Sequence, residues 1–191
     1  YVVRPKSEEH HDYRGYGGMV AGGVLKPGDE VVVLPSGMTS KIAGIDLFDR
    51  EITEAFPPMS VTVRLEDDLD VSRGDMIARV NNAPKPSQDI DAMICWMTNE
   101  PLRPRQKLAI KHTTRTARAL VKDIQYRMDV NTLHRDQDTK ELALNEIGRV
   151  QLRTTAPLLC DPYAKNRTTG SFILIDEATG ITVGAGMINS S

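Results

Sequence analysis

The segment "EEHHDYR" sets Glu8, Glu9, His10, His11 and Asp12 side by side, residue types that can coordinate a divalent metal. Neighbouring side chains on an extended chain point in opposite directions, so His10 and His11 cannot readily share one ion, and a solvated loop is expected instead. A second concentration of chemistry is positive charge. Arg103, Arg105, Lys107, Lys111, Arg115, Arg118, Lys122 and Arg127 are opposed within their span only by Asp123. Clustered cations are what phosphate contacts need. Yet they mostly alternate with Leu108, Ile110, Ala117, Ala119 and Val121, as an exposed strand face does, and no aromatics interleave for base stacking. A solvated face, or a docking surface for an acidic partner, is therefore expected, with RNA ranked second. His112 is read on the basic side of this strand and His134 near a turn in "TLHRD". Neither has a Ser or Cys nucleophile in a recognisable arrangement, so both are assigned hydrogen-bonding roles. No catalytic, cofactor-binding or metal-binding residue is assigned.

The glycines of "YRGYGGMVAGGVLKPGDEVVVLP" raise the question of a phosphate cradle. The nucleoside-triphosphate loop requires G-x-x-x-x-G-K-[ST], and no Gly-Lys pair occurs in the chain. The dinucleotide fingerprint G-x-G-x-x-G fails because position 20 is Val, and a turn and strand follow where a helix is needed. The glycines instead suit a small barrel, whose coiled strands approach too closely for side chains.

The elements that must position these residues read as strands. "VTVRLE" places Val61, Val63 and Leu65 on one face; "RVQLRT" places Val150 and Leu152 inward and Arg149, Gln151 and Arg153 outward. "FILI", "DEATG" and "ITVGAGMI" form a hairpin whose polar turn ends at Gly180. In "AMICWM" both alternating sets are apolar, which predicts a strand covered on both sides and gives the Met93/Met97 pair beside Trp96 a packing role. Pro27 and Gly28 fit a type II turn, and a shorter version recurs at Gly74 and Asp75. Only "TKELALNEIG" has a helical look, with a loop nearly as good a reading.

Two domains are expected, residues 1–83 and 88–191, joined by a Pro-rich linker at 84–87. The first holds 9 Lys/Arg against 14 Asp/Glu and the second 14 against 12, so the first is acidic and the second mildly basic. Hydrophobic residues make up 40% of the chain and aromatics 5%, which predicts aliphatic cores. No apolar run is long enough to suggest a membrane helix. Cys95 and Cys160 sit in apolar company and are expected to be reduced, buried and inert, in a cytoplasmic protein. The chain begins at Tyr1 and not at Met, which reads as a piece of a longer polypeptide.

The ordered set "RGYGGMVAGGVLKPGDEVVVLP", "KIAGIDLF", "SVTVRLE" and "VSRGDMIARV" resembles the second, β-barrel domain of the elongation factor Tu-like GTPases. The matching residues are Arg14, Gly15, Gly18, Val20, Gly23, Leu25, Lys26, Gly28, Asp29 and Val31, with Arg73, Gly74, Met76 and Ile77 at the return. The second half is similar to the third domain of the same family, closing on "GITVGAGMI". Within that superfamily the chain most resembles the large, GTP-binding subunit of bacterial sulfate adenylyltransferases. "VVRPKSEEHHDYRGYGG", "LPSGMTSKIAGIDLFD", "DIQYRMDVNTL" and "ELALNEIGRVQL" carry that likeness. So do Trp96, Met97, Lys111, His112, Thr114, Ala119 and Val121.

The resemblance implies an all-β fold of two consecutive small antiparallel β-barrels of translation-factor type. It also implies a regulatory and scaffolding role, in which GTP hydrolysis by a separate N-terminal domain drives formation of adenosine 5′-phosphosulfate by a small catalytic subunit. Partners would be that small subunit and the GTPase domain, with neither membrane nor nucleic acid. GTP and Mg²⁺ would bind only in the absent domain, since no phosphate loop or "NKxD" guanine motif is present, and this stretch by itself is expected to be inactive. An adenylylsulfate kinase domain follows in some members. The runner-up is a translation-factor fragment that binds aminoacyl-tRNA.

Overall fold

The computed structural model describes residues 2–3 and 13–190; the Glu8, Glu9, His10, His11 and Asp12 run lies outside them. The chain divides into two compact units, Tyr1–Pro84 and Lys85–Ser191. All named strand pairings are antiparallel, and the described residues contain no α-helix, only a 3₁₀ turn at Val80–Asn82.

The first unit is built from β1 (Val2–Val3), β2 (Gly15–Met19), β3 (Glu30–Leu34), β4 (Met38–Leu47), β5 (Arg50–Ile52), β6 (Ser60–Leu65) and β7 (Met76–Arg79). The sheet runs β1-β2-β6-β4-β3-β7, with β5 paired to β4. Val31, Ile42, Ile45, Ala55, Val61 and Val63 fill its larger core, and Tyr16, Val33 and Val71 a smaller one. The period-two reading of residues 61–66 holds: Val61 and Val63 are buried, and half-buried Leu65 packs against both clusters. Gly15 answers part of the glycine question. A Cβ there would fall on the Thr62 methyl group and the Tyr13 ring, so the β2–β6 approach requires its absence.

The second unit contains β8 (Pro86–Trp96), β9 (Lys107–His112), β10 (Arg115–Met128), β11 (Arg135–Asp136), β12 (Ile147–Leu159), β13 (Ser171–Ile175) and β14 (Thr182–Ser190). The path β10-β12-β8-β14-β13-β9 returns to β10, a closed six-stranded barrel, and β11 extends β10 outside the ring. Its interior is mainly aliphatic, with Trp96, Phe172 and Cys160 among the exceptions, and includes Val150 and Leu152 as the alternation predicts. β8 begins within the Pro-rich stretch: Pro86 and Ser87 lie opposite Leu159 and Leu158. In residues 92–97 only one set is fully covered. Ala92, Ile94 and Trp96 are buried, Met93 and Cys95 half-buried, and Met97 exposed, because that second set lies on the outer surface of the barrel. The β13–β14 hairpin forms as expected, its turn tied by the Asp176 carboxylate, which accepts the Ala178 and Thr179 N–H groups.

Four turns, at residues 26–29, 72–75, 103–106 and 143–146, share one construction. The fourth N–H donates to the first carbonyl at 3.1, 3.1, 3.3 and 3.1 Å. The fourth side chain, of Asp29, Asp75, Gln106 or Glu146, accepts the first N–H at 2.9, 2.8, 3.2 and 2.8 Å. The third residue has positive φ: Gly28 at 87°, Gly74 at 97°, Arg105 at 72° and Asn145 at 64°. This is type II geometry with a side-chain tie. It also settles residues 139–146 as a loop, with Ile147 and Gly148 already in β12. Leu142 bridges Leu102 and a left-handed Asn145 follows, which no α-helix accommodates.

Candidate functional site

The eight cations lie on β9, β10 and the loop before them, and the fold brings carboxylates to Arg103, Arg118, Lys122 and Arg127 among them. Arg103 Nε meets Glu141 at 2.8 Å, Arg118 Nε meets Glu177 at 2.8 Å, and Lys122 Nζ meets Asp89 at 3.5 Å. Arg127 sits between Glu146 at 2.6 Å and Asp136 at 2.9 Å. Each exposed pair is worth only about 0.2–1 kcal/mol, but together they cut the field that would attract phosphate. The one aromatic near the end of the stretch, Tyr126, is buried, with the Arg135 guanidinium 5.0 Å from its ring centroid, so it offers no open stacking face.

His112 is placed differently from the sequence reading. It continues the Leu108–Ile110 side of β9, is 1% exposed, and its Nε2 lies 2.7 Å from the Thr169 carbonyl. Burial pulls its pKa below the usual imidazole value, against the opposing effect of that carbonyl. It is a neutral, hydrogen-bonded core residue. His134 is exposed in the loop after β10, where its carbonyl accepts the Asp129 N–H. Cys160 is buried and Cys95 half-buried, and neither is in a disulfide. Among the described residues no group of three or more His, Cys, Asp or Glu is placed to hold a metal. No described helix is long and apolar enough to cross a membrane.

Two polar clefts remain. In the first unit, a cleft of about 360 Å³ is bordered by Tyr13, Arg14 and Arg64. Tyr13 donates its hydroxyl to Asp46 at 2.8 Å, while Arg64 reaches Asp46 at 3.0 Å and Glu51 at 3.0 Å. Burial, then the Asp46 carboxylate, pushes the Tyr13 phenol up to about 12. Gly44 makes room for this cluster, since a Cβ there would strike the Arg64 guanidinium. In the second unit, a cleft of about 510 Å³ is bordered by Arg127, His134, Asp136 and Glu146. No Ser, Thr, Cys or Lys is among the described residues lining either cleft, and Tyr13, Arg64, Arg127, Asp136 and Glu146 there are tied into ion pairs and hydrogen bonds. Their chemistry is that of fixed ion pairs on a scaffold. Both clusters join residues from separate strands, and no local sequence signal marks them.

The glycine-rich stretch forms β2 and the turn beyond it, with no helix to follow, so it lacks the strand–loop–helix frame of a phosphate cradle. Residues 89–189 match the family described as GTP-eEF1A C-terminal domain-like. The chain is 57% identical over 189 residues to the bifunctional enzyme CysN/CysC of Mycobacterium tuberculosis (strain ATCC 25618 / H37Rv), covering 98% of this chain and 31% of that protein. It is 45% identical over 188 residues to sulfate adenylyltransferase subunit 1 of Alteromonas mediterranea, covering 98% of this chain and 39% of that protein. It thus spans between 31% and 39% of the length of these two curated relatives. Among solved structures, sup35 complexed with GDP superposes with a TM-score of 0.84 at 20% identity, over 93% of this chain and 44% of that one. At that identity the likeness is one of fold.

Proposed function

The chain belongs to the GTP-eEF1A C-terminal domain-like family, and from that premise we propose that it is the two-barrel, non-catalytic segment of a sulfate adenylyltransferase GTPase subunit. The observation that carries this reading is the 57% identity to a CysN/CysC enzyme across 98% of the chain. In this role the barrels bind the small catalytic subunit in the cytoplasm and relay to it the state of a GTPase domain, coupling GTP hydrolysis to synthesis of adenosine 5′-phosphosulfate from ATP and sulfate. In this reading GTP and Mg²⁺ are held by residues outside these 191, since the glycine-rich stretch, a strand leading into a turn, lacks the strand–loop–helix frame of a phosphate cradle.

The test is a titration of the chain against the purified small adenylyltransferase subunit, with transfer RNA as control at low and physiological salt. Saturable binding to the subunit, with RNA binding abolished at physiological salt, is expected. Tight RNA binding that survives physiological salt, without subunit binding, would overturn the reading in favour of an aminoacyl-tRNA-binding fragment.

A further inference from the structure

The loop between β10 and β11, residues 129–134, combines three unusual features. It exposes two aliphatic side chains, Val130 at 61% and Leu133 at 69%. It holds Leu133 at φ 57°, a left-handed conformation that leucine rarely adopts. And it is tied in that shape from within. Asp129 donates its N–H to the His134 carbonyl at 2.9 Å and accepts the Leu133 N–H on its own carbonyl at 2.8 Å. Its carboxylate also accepts the N–H groups of Asn131 at 2.8 Å and Thr132 at 3.0 Å. The Thr132 and then the Asn131 amides hold that carboxyl below the usual range. A strained backbone persists only where its surroundings impose it. Here the strain presents Leu133 to solvent.

The base of the loop is fixed as well. Arg127 bridges Asp136 on β11 and Glu146 at the entrance to β12, and Glu146 also ties the 143–146 turn. That turn adds Leu144, 41% exposed. Val130 borders the same polar cleft as Arg127, Asp136, Asn145 and Glu146, so an exposed apolar side chain stands beside a polar rim, the layout of an interface anchor.

We infer that the 129–134 loop is a protein-docking element whose partner offers an apolar groove edged by Lys or Arg. Charge selects this occupant. Residues 129–146 carry five acidic side chains (Asp129, Asp136, Asp138, Glu141 and Glu146) against Arg135 and Lys140; with Arg127, paired to Asp136 and Glu146, and Arg103, paired to Glu141, counted as well, the balance is five acids against four cations. Such a balance offers no clustered positive charge to nucleic acid or anionic lipid, and the Asp129 carboxylate within the loop favours a basic protein edge. The basic β9–β10 face, where Arg103, Arg118, Lys122 and Arg127 have carboxylate partners, is the alternative surface, and a paired lysine variant tests it. This inference rests on the proposed binding of the small adenylyltransferase subunit, which is the probe used to test it.

The experiment compares the 191-residue chain with Val130→Ser/Leu133→Asn, with Asp138→Lys and with Lys107→Ala/Lys111→Ala. Asparagine tolerates the left-handed backbone, so the first variant keeps or gains thermal stability while losing both anchors. Its affinity for the small subunit is expected to fall at least about tenfold, the loss of anchors of this kind. Asp138→Lys is expected to slow association several-fold, and the lysine pair to bind like the unsubstituted chain. Undiminished binding by Val130→Ser/Leu133→Asn would overturn the inference while leaving the function standing. An unchanged association rate for Asp138→Lys would overturn the basic edge. Failure of the unsubstituted chain to bind the subunit would overturn both.

Discussion

Leu102 and Leu142 exchange both backbone hydrogen bonds, the N–H of each donating to the carbonyl of the other at 2.9 and 3.0 Å, and both side chains are fully buried. Leu25 and Ala55 do the same in the first unit, at 2.9 Å in both directions. In each unit the bridge links two loops that lead through a tight turn into a strand. These short bridges, outside the named strands, fix where those strands begin.

Leu142→Ala removes a buried side chain at such a bridge. The expected cost is about 2–5 kcal/mol, set by how far the site can collapse. Urea unfolding should show the loss in the transition of the second unit alone, with the first unit unchanged. A loss below about 1 kcal/mol would mean that the bridge backbone, and not the side chain, holds the loops.

The turn construction predicts substitutions of opposite sign. A Cβ on Gly28 would meet nothing within 4 Å, so Gly28→Ala isolates the backbone cost of φ 87° and should destabilise by about 1–2 kcal/mol. Arg105→Gly relieves the same strain at φ 72° and should stabilise by up to about 1 kcal/mol, less the entropy that glycine adds to the unfolded chain. Thermal unfolding of the two variants checks both signs.

Much of this architecture was legible from alternation. Val61 with Val63, and Val150 with Leu152, point inward as their spacing requires, because a sheet with one buried face enforces period two. His112 was misplaced when its residue type outweighed its parity: it stands two positions after buried Ile110, on the core side. The turns at 26–29 and 72–75 declare themselves through glycine. Those at 103–106 and 143–146 are hidden because Arg105 and Asn145 hold the positive φ. The Tyr13–Asp46–Arg64 and Arg127–Asp136–Glu146 clusters unite residues that only tertiary pairing brings together, and sequence spacing carries no trace of them.

His112 ties stability to pH. Its folded pKa lies below the unfolded value of about 6.5, so below that pH the unfolded chain binds the extra proton. Stability from this group is complete above about pH 7 and is lost as pH falls through 6.5 toward the folded pKa, at up to about 1.4 kcal/mol per pH unit. His112→Gln should flatten that limb in denaturant titrations run across this window. A limb of unchanged slope would assign the effect to other groups.

Tyr13 acts at the alkaline end. The folded phenol, at about 12, keeps its proton through the range in which an unfolded tyrosine, near 10, loses it. Stability from this group is therefore present below about pH 10 and falls as pH rises toward 12. Asp46→Asn removes the carboxylate that disfavours the phenolate, and should bring the Tyr13 titration, followed by tyrosinate absorbance, part of the way back toward 10. Burial, the larger cause, would hold it above that value.

The Arg127 clamp tests whether rigidity of the 129–134 loop matters apart from its side chains. Arg127→Met cuts the ties to Asp136 and Glu146 and leaves two carboxylates without their shared cation. Val130 and Leu133 remain, and so do the Asp129 hydrogen bonds that shape the loop. What changes is the anchorage of β11, a two-residue strand paired, among the described residues, with β10 alone. Amide exchange at Leu133 should accelerate as β11 loosens. Affinity for the small adenylyltransferase subunit should then fall several-fold, because ordering the loop becomes a cost of binding. Arg127→Lys restores one charge but not the two-pronged geometry, so an intermediate loss is expected. If amide exchange accelerates while affinity holds, the anchors suffice without a rigid base, and the strained φ of Leu133 serves their direction alone.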